Sequence, residues 1–488
     1  MPTNLQAELA ELARWPFRKG APNQKDFEQL ARLEFLPAEA IRAGQESVLN
    51  ALITRVAAKT PYYRGLFKKL GVDPADIRGI ADLPRLPMLT RDKIQEQGEA
   101  FICMETKRGS QLLASRTSGS TGSPVEIQRS LKTWKLFAML KQRELRWFRY
   151  DPKGTLASIR APNDLPSRPG HPIKKGQTVG MKQWPQLGYW FQTGPYFGFG
   201  NDNSQESQAR WLRKYDPDYL LMQSAELEHL AFAFQQGRAL KNLKACQAVS
   251  QQMTAEMRGR IERIFGVPVH ENYGLNEVSL VATRCPEGGR FHIHAENCLV
   301  EIVDDEGRPS RPGERGRILV TSLSNAVMPL IRYDADDLAV MADDLCPCGR
   351  TLPALTGIVG RYRRTALLPP GTWDRWVNLQ LTLYHMPSDL AQPLRQYQLH
   401  QYRDNRYELR LVAAAPLAEA FKVHIQDFWR KFEEGEPPPL EIIEVESIPR
   451  PPGGKFQNFT SDFAPPPRPD ELDTADDPLS HMDPPENA

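Results

Sequence analysis

From residue 205 to residue 281 the chain alternates between two periodicities, and few architectures can satisfy both. Residues 205–214 carry helical spacing, DPDYLLMQSAELEHLAFAF reads as a strand followed by a helix, and ALKNLKACQAVSQQMTAEMRGRIERIFGVPVHENYGLNEVSLVA repeats the pattern. Strands separated by helices pair in parallel, with the helices packed on the faces of the sheet, so an α/β fold is expected here. From Arg290 the pattern changes. FHIHA, LVEIVDDEGR and GRILVTSL are strands joined by turns, which predicts a β-rich subdomain.

Ahead of this region, residues 1–60 read as helical, because Ile41, Val48, Leu49, Leu52 and Val56 fall on one face. PYYRGLFKKLGVDPADI is read as a turn of the chain, and DLPRLPMLTRDKIQEQ as short extended pieces before another helix. Residues 109–128 fit strand, loop, strand, with RTSGSTGSP at 116–124 between QLLAS and VEIQ. The loop combines Thr117, Ser118, Ser120, Thr121 and Ser123 with Gly119 and Gly122, and Arg116 stands at its entrance. Glycines let backbone N–H groups approach an anion and hydroxyls donate to its oxygens, so the stretch suits a phosphate chain; a flexible loop is the plain alternative. The Gly-Lys-Ser/Thr ending of a Walker A loop is missing. A long amphipathic helix over 132–149 follows and is read as structural. PQLGYWFQTGPYFGFG, at 185–200, holds Trp190, Phe191, Tyr196 and Phe197; it is either core or the wall of an apolar pocket for a flat ligand.

A chain of 488 residues exceeds one compact core, so two or three domains are expected. The net charge of +2 provides no broad footprint for nucleic acid, which confines any anion site to a local cluster. No apolar run resembles an export signal or reaches the length of a membrane span, so a cytoplasmic protein without a membrane partner is expected. Cys103, Cys246, Cys285, Cys298, Cys346 and Cys348 are too unevenly spread for a disulfide scaffold and read as free thiols or metal ligands. Part of the excess of proline lies in APPPRPDELDTADDPLSHMDPPENA, which has too few apolar residues to bury and is expected to be disordered.

Five motifs in fixed order carry a resemblance: the loop at 116–124, ENYGLNE at 271–277, IRYDADD at 331–337, GRYRR at 360–364 and PRPPGGK ending at Lys455. Together they resemble the adenylate-forming enzymes, and PYYRGLFKKLGVDPADI, the aromatic segment before Tyr196 and CPCGRTLP at 346–353 are similar to the phenylacetate–CoA ligase-like branch. The resemblance implies a large N-terminal adenylation domain over 1–360, mixed α/β with a β-rich subdomain. A hinge at 361–364, a small mobile α+β C-terminal domain over 365–460 bearing Lys455, and a Pro/acidic tail over 461–488 would follow. It further implies activation of an aryl or arylacetic acid by ATP through an acyl-adenylate, and transfer of the acyl group to coenzyme A.

Within that resemblance, Thr117, Ser118, Gly119, Ser120, Thr121 and Gly122 would hold the β- and γ-phosphates, with Thr121 counted among the catalytic groups. Glu277 would bind Mg²⁺, Tyr273 would face the adenine, Asn272 would meet the base edge with Gly274 beside it, and Asp337 would accept from the ribose. Arg361 would lie near ribose and phosphates, and Lys455 would reach the α-phosphate before the small domain swings away for thiolysis. The chain departs from the family at Ala335 and Asp336, where a threonine and a glycine are usual. It departs again at Arg363 and Arg364, where acidic residues are usual, and GGKFQNF lacks a basic residue after the lysine. Another acceptor (an amine, a carrier-protein thiol or a hydroxyl receiving the nucleotide) and a catalytically silent nucleotide-binding relative are the alternatives, and a homodimer is left open. Cys285, His292, Cys346 and Cys348 form a Cys₃His set suited to structural zinc, with His294 as the fallback ligand; four unliganded side chains are the plain alternative.

Overall fold

The computed structural model describes residues 5–18, 24–105, 112–116, 125–167, 173–235, 240–249, 253–311, 313–359, 393–431, 437–449 and 458–463, with single positions at 375, 379, 382, 383, 386 and 390. Five helices come first: α1 (Leu5–Ala13), α2 (Gln24–Leu33), α3 (Ala38–Lys59), α4 (Pro61–Leu70) and α5 (Arg91–Glu96). The hairpin β1 (Leu112–Arg116) and β2 (Glu126–Ser130) leads into α6 (Leu131–Trp147). Then come β3 (Leu156–Arg160), β4 (Thr178–Met181), β5 (Tyr196–Gly200), α7 (Gln205–Tyr215), β6 (Tyr219–Gln223), α8 (Ser224–Phe232), β7 (Ala245–Val249), α9 (Ala255–Phe265) and β8 (Val269–Leu275). The strands β9 (Ser279–Arg284), β10 (Phe291–Ile293), β11 (Cys298–Val303), β12 (Arg315–Ser322), β13 (Tyr333–Met341) and β14 (Ala354–Val359) follow. The C-terminal part has β15 (Leu394–Gln401), β16 (Tyr407–Ala413), a helix, here α10 (Glu419–Lys431), β17 (Leu440–Glu444) and β18 (Phe459–Ser461).

Twelve strands form one sheet in the order β11-β12-β13-β14-β10-β9-β8-β7-β6-β3-β5-β4. Pairing is parallel through β5-β3-β6-β7-β8, as the strand–helix alternation predicts. It becomes antiparallel from β8 onward, because β8 and β9 are joined by a turn too short for a crossover helix. The change of pattern therefore begins near residue 275, earlier than the Arg290 read from the sequence. FHIHA, LVEIVDDEGR and GRILVTSL are the strands β10, β11 and β12. Two local expectations are corrected. PYYRGLFKKL is a helix rather than a turn, with Pro61 at its first position and Gly71 closing it at φ 62°. Val48 is 46% exposed, while Gln45 lies in the buried stripe of α3 and donates to the Ala295 and Cys298 carbonyls.

The N-terminal helices are bound to the body by buried charge. Glu34, just after α2, is fully buried and meets Arg146 at 2.6 Å, Arg143 at 3.1 Å, Arg350 at 3.1 Å and the Trp147 indole at 2.8 Å. Burial opposes its ionisation, but the three arginines outweigh that cost and hold the carboxyl below its ordinary range. Glu8 joins from α1, 2.6 Å from Arg350 and 3.2 Å from Arg146.

A four-stranded sheet, β17-β16-β15-β18, has its own core of Leu394, Tyr397, Leu399, Tyr407, Leu409 and Phe421 among others. It meets the large sheet's helices through Phe232 and through Glu228, which pairs with Arg260 and accepts from the Tyr397 hydroxyl at 3.1 Å. No helix among the described residues is long and apolar enough to cross a membrane. Glu34→Gln, which leaves three arginines around a neutral group, is expected to cost about 3–5 kcal/mol. Urea unfolding followed by tryptophan fluorescence checks this; an unchanged midpoint would contradict it.

Candidate active site and metal cluster

The turn between β8 and β9 carries Glu277, whose carboxylate is nearly buried and lies 2.9 Å from the Arg91 guanidinium. Arg91 is brought there by a chain of backbone contacts. Leu89 donates to the Arg332 carbonyl at 2.9 Å and receives from the Asp334 N–H at 2.9 Å, so the segment before α5 lies beside the start of β13. Thr90 then caps α5, its hydroxyl accepting from Lys93 N–H at 3.3 Å, and Arg91 opens the helix. Arg332, the arginine of IRYDADD, is a buried anchor for this arrangement: it meets Glu301 at 3.1 Å and donates to the Leu86 carbonyl at 2.5 Å and the Gly307 carbonyl at 2.6 Å.

The Glu277 charge acts on the Tyr333 phenol, and the Tyr273 hydroxyl donates to Asp337 at 2.7 Å. Both phenols are raised well above their usual range, first by burial and then by the carboxylates beside them. Glu277, Tyr273 and Asp337 thus come from two motifs 60 residues apart and meet in one place. Asp336 stands at φ 61°. A glycine is the default residue in that left-handed region and an aspartate is among the few others that tolerate it, which accounts for Asp336 at the family's glycine position.

The hydroxyl and glycine loop is the tip of the β1–β2 hairpin, closed by the pair Arg116↔Glu126. Thr117, Ser118, Gly119, Ser120, Thr121 and Gly122 lie outside the described residues, as do Arg361, Arg363, Arg364 and Lys455. The hairpin's stem is nevertheless tied to the Glu277 turn, because Arg129 donates to the Asn276 carbonyl and feels the Glu277 charge.

Neighbouring side chains of a strand point to opposite faces. On β8, Val269 lies in the core with Ile261 of α9 and Glu271 pairs with Arg258 of α9, which puts Tyr273 on that same side. His270 and Asn272 face α6, where Asn272 donates to Glu144 at 2.9 Å. Tyr273 and Asn272 therefore point to opposite sides of the strand, and Gly274 follows them at its exposed end. The aromatic quartet is also divided. Phe191 is fully buried against Trp15, Phe17 and Phe27, Trp190 packs beside the same core, and Tyr196 bonds Ser158 from within it. Phe197 lies against Tyr215 and belongs with the helices on the other face. The four do not form one pocket wall, because β5 alternates and α1 and α2 cover the turn before it.

Cys285, His292, Cys346 and Cys348 are all buried, and their ligand atoms lie within 4.8 Å of one another. Ligands of a tetrahedral site with bonds of about 2.3 Å stand roughly 3.8 Å apart, so a small contraction would close the cluster on an ion. The backbone supports anionic sulfur: Gly288 N–H donates to Cys285 Sγ at 3.3 Å and Arg350 N–H to Cys348 Sγ at 3.4 Å. His292 Nδ1 meets the Leu352 carbonyl at 3.4 Å, which leaves Nε2 facing Cys348 Sγ at 3.3 Å. The four could hold a metal ion. His294 is not part of the cluster; it bonds Thr283 at 3.0 Å and Arg143 at 3.3 Å.

Sequence reading missed Arg91, Arg129, Tyr333, Glu144 and Gln247. Tyr333 lies within IRYDADD, whose reading rests on Asp337; the other four are common residues outside the motifs, and only tertiary contacts mark them. Reading α6 as merely structural missed the polar face that supplies Glu144.

Residues 205–329 match the family of AMP-binding enzymes. The phenylacetate-coenzyme A ligase of Thermus thermophilus is 28% identical over 344 residues, covering 67% of this chain and 72% of that protein. The Pseudomonas putida enzyme of the same name is 24% identical over 432 residues, covering 83% of this chain and 88% of its own. A crystal structure of 2-hydroxyisobutyryl-CoA ligase in the postadenylation state, in complex with 2-HIB-AMP, shares the fold at a TM-score of 0.68 with 18% identity, covering 88% of this chain and 91% of that one. The anthranilate CoA ligase AuaEII with anthranoyl-AMP gives 0.53 with 14% identity, over 81% of this chain and 75% of that one. These matches agree with the resemblance to adenylate-forming enzymes and to their phenylacetate–CoA ligase-like branch.

Gly288 offers a test of how tightly the cysteine cluster is built. A Cβ there would stand 2.1 Å from Cys346 Sγ and 3.0 Å from Pro347. Gly288→Ala is expected to destabilise the protein by about 1–3 kcal/mol, the usual cost of forcing an extra methyl into a packed site. A thermal melt equal to that of the unsubstituted protein would show that the turn has room.

Proposed function

We propose that the protein is an ATP-dependent acid–thiol ligase that activates an aryl or arylacetic acid as its acyl-adenylate and passes the acyl group to coenzyme A. The observation that carries this is the convergence of Glu277, Tyr273, Tyr333 and Asp337 at the end of β8, with the stem of the hydroxyl-bearing hairpin tied to the same turn. The family match and the phenylacetate-coenzyme A ligases found by sequence support it.

In the first half-reaction a carboxylate oxygen attacks the α-phosphorus of ATP, and the bond to the β-phosphate breaks to release pyrophosphate. One anion approaches another, so fixed positive charge and donors are needed in a dry site. Residues 117–122 would hold the outer phosphates, Arg361 would lie near the ribose and phosphates, and Lys455 would stabilise the charge developing at the α-phosphate. Asp337, already accepting from Tyr273, is suited to accept from ribose hydroxyls, and the Tyr273 ring is suited to lie against the base. Glu277 fits a magnesium ion, which takes one or two carboxylates and fills its other positions with phosphate oxygens and water. Bound there, the ion would neutralise phosphate charge. Arg91 would orient Glu277 and keep its charge balanced before nucleotide arrives.

In the second half-reaction the thiol sulfur of coenzyme A attacks the acyl carbon, the bond to the adenylate oxygen breaks, and AMP leaves as the thiol proton is lost. A large domain over 1–360 and a small one over 365–460, hinged at 361–364, would let Lys455 withdraw between the steps. Zinc is the metal we assign to Cys285, His292, Cys346 and Cys348, because three thiolates and an imidazole make a closed tetrahedral set without an open position for substrate. Its role would be to hold the turn at 346–348 against β10.

Pyrophosphate release over a panel of aryl acids, with and without coenzyme A, tests the function. Release that depends on acid, with thioester formed when coenzyme A is present, is expected; acid-dependent release without coenzyme A consumption points to another acceptor, and no release with any acid overturns the assignment. Lys455→Ala is expected to slow adenylation by about two to three orders of magnitude while sparing thiolysis of supplied adenylate; equal loss in both steps contradicts its role. Purified protein should contain about one zinc per chain, falling below about 0.2 in Cys348→Ser, and an unsubstituted protein below that level has no zinc site.

A further inference from the structure

On the α6 side of β8 lies a charged group that the adenylation chemistry leaves unused. Glu144 is fully buried, and its Oε1 accepts from the Asn272 amide at 2.9 Å and from the Gln247 amide. Its Oε2 accepts from Lys141 Nζ at 2.9 Å. Glu144 and Gln247 are buried, whereas Lys141 and Asn272 are half-buried, so the group opens outward at those two members. A carboxylate offers about two acceptor sites per oxygen. Oε1 is filled, and the remaining capacity is on Oε2, beside the lysine.

A buried ion pair is rarely a gain in stability over apolar packing of the same volume. Two more buried polar atoms lie on this side of the sheet, Tyr150 Oη and His270 Nδ1, and neither has a hydrogen-bond partner among the described residues. Their rings are 4.8 Å apart, and the Glu144 charge acts on the Tyr150 phenol. Buried polar groups of this kind are ordinarily satisfied by water or a ligand. Tyr273 and Asp337 occupy one face of β8, and the acid must reach the same strand end from another direction; Asn272, the residue before Tyr273, faces α6.

We propose that Lys141 and Glu144 form a polar end of the acid-binding pocket and that the substrate is a carboxylic acid carrying a hydroxyl group that binds between them. The hydroxyl donates to Glu144 Oε2 and accepts from Lys141, matching one acceptor and one donor with a single uncharged group. An ammonium substituent would satisfy the carboxylate but meet the lysine charge, and an unsubstituted ring would cover the pair without offering it a hydrogen bond. This inference rests on the ligase reading and narrows it to hydroxylated acids.

The test is acid-dependent pyrophosphate release by the full chain with phenylacetate, with its hydroxylated derivatives at each ring position, and with the matching amino derivatives. One hydroxylated isomer is expected to exceed phenylacetate in kcat/KM by about 10- to 100-fold, as sites built to bond a hydroxyl discriminate against its absence. Glu144→Gln and Lys141→Met should each reduce that ratio by at least about tenfold, and the half-buried Lys141 provides a variant whose folding does not depend on a fully buried carboxylate. A thermal melt of each variant separates misfolding from lost selectivity. Equal rates with hydroxylated and unsubstituted acids, preference for an amine, or a ratio unchanged in a folded variant would overturn the proposal while leaving the ligase function standing. Absence of release with every acid would overturn both.

Discussion

Strand β8 is where one sheet changes from parallel to antiparallel pairing, and the site follows from that constraint. On one side it continues a parallel array that needs helices on both faces; on the other it turns directly back into β9. A parallel array delivers its strands' C-terminal ends to one edge, where ligands of open α/β sheets bind. A tight turn at the same edge places Glu277 without any crossover. Alternation of side chains along β8 then sends Tyr273 toward Asp337 and Asn272 toward Glu144, so one strand divides two chemistries with no more than a single residue between them.

Charge is taken out of water wherever an irregular segment must be held to the sheet. Arg332 binds the carbonyls of Leu86 and Gly307 and the carboxylate of Glu301, fixing the segment from which Arg91 emerges. Glu34 gathers three arginines and so fastens the two N-terminal helices to α6 and to the turn that carries Cys348. Apolar contacts would hold these pieces close, but they are not directional. A guanidinium with fixed N–H vectors sets orientation as well as distance, which a turn without regular secondary structure cannot provide for itself.

The parts legible in the sequence were those where chemistry restricts the residue type. A strand between helices must be apolar along its length, so the parallel half is legible in YLLMQ and ACQAV; three cysteines and a histidine stand out by type alone, and Cys285, His292, Cys346 and Cys348 do lie together, with the fallback His294 outside the group. PYYRGLFKKL does carry helix boundary signals, proline at its start and glycine after its end, but its paired tyrosines and glycine also suit a turn, and packing against the sheet decides for the helix. Arg91, Arg129 and Glu144 carry no such mark. Their partners are distant in the chain, and no local pattern distinguishes an arginine that meets Glu277 from one on the surface. The pattern around Phe191 leaves core and pocket wall both open because aromatic residues serve cores and ligands alike; what decides is the cover provided by the segments around α1 and α2, more than 150 residues away.

The contact between the two sheets' bodies bears on how a two-step reaction could share one cleft. Glu228 is fully buried at that contact, paired with Arg260 on its own side and bonded by Tyr397 and Asn458 from the smaller sheet. The charge pair therefore stays within the large body, and the partners that the smaller sheet offers to Glu228 are neutral. Separation would leave the carboxylate with its arginine and would expose it to water, which can replace a phenol and an amide at small cost. An interface whose crossing charges were paired the other way would lose an ion pair on each opening, at several kcal/mol. Placing Arg260 beside Glu228 on the same body thus keeps the contact specific while leaving its ion pair independent of the smaller sheet.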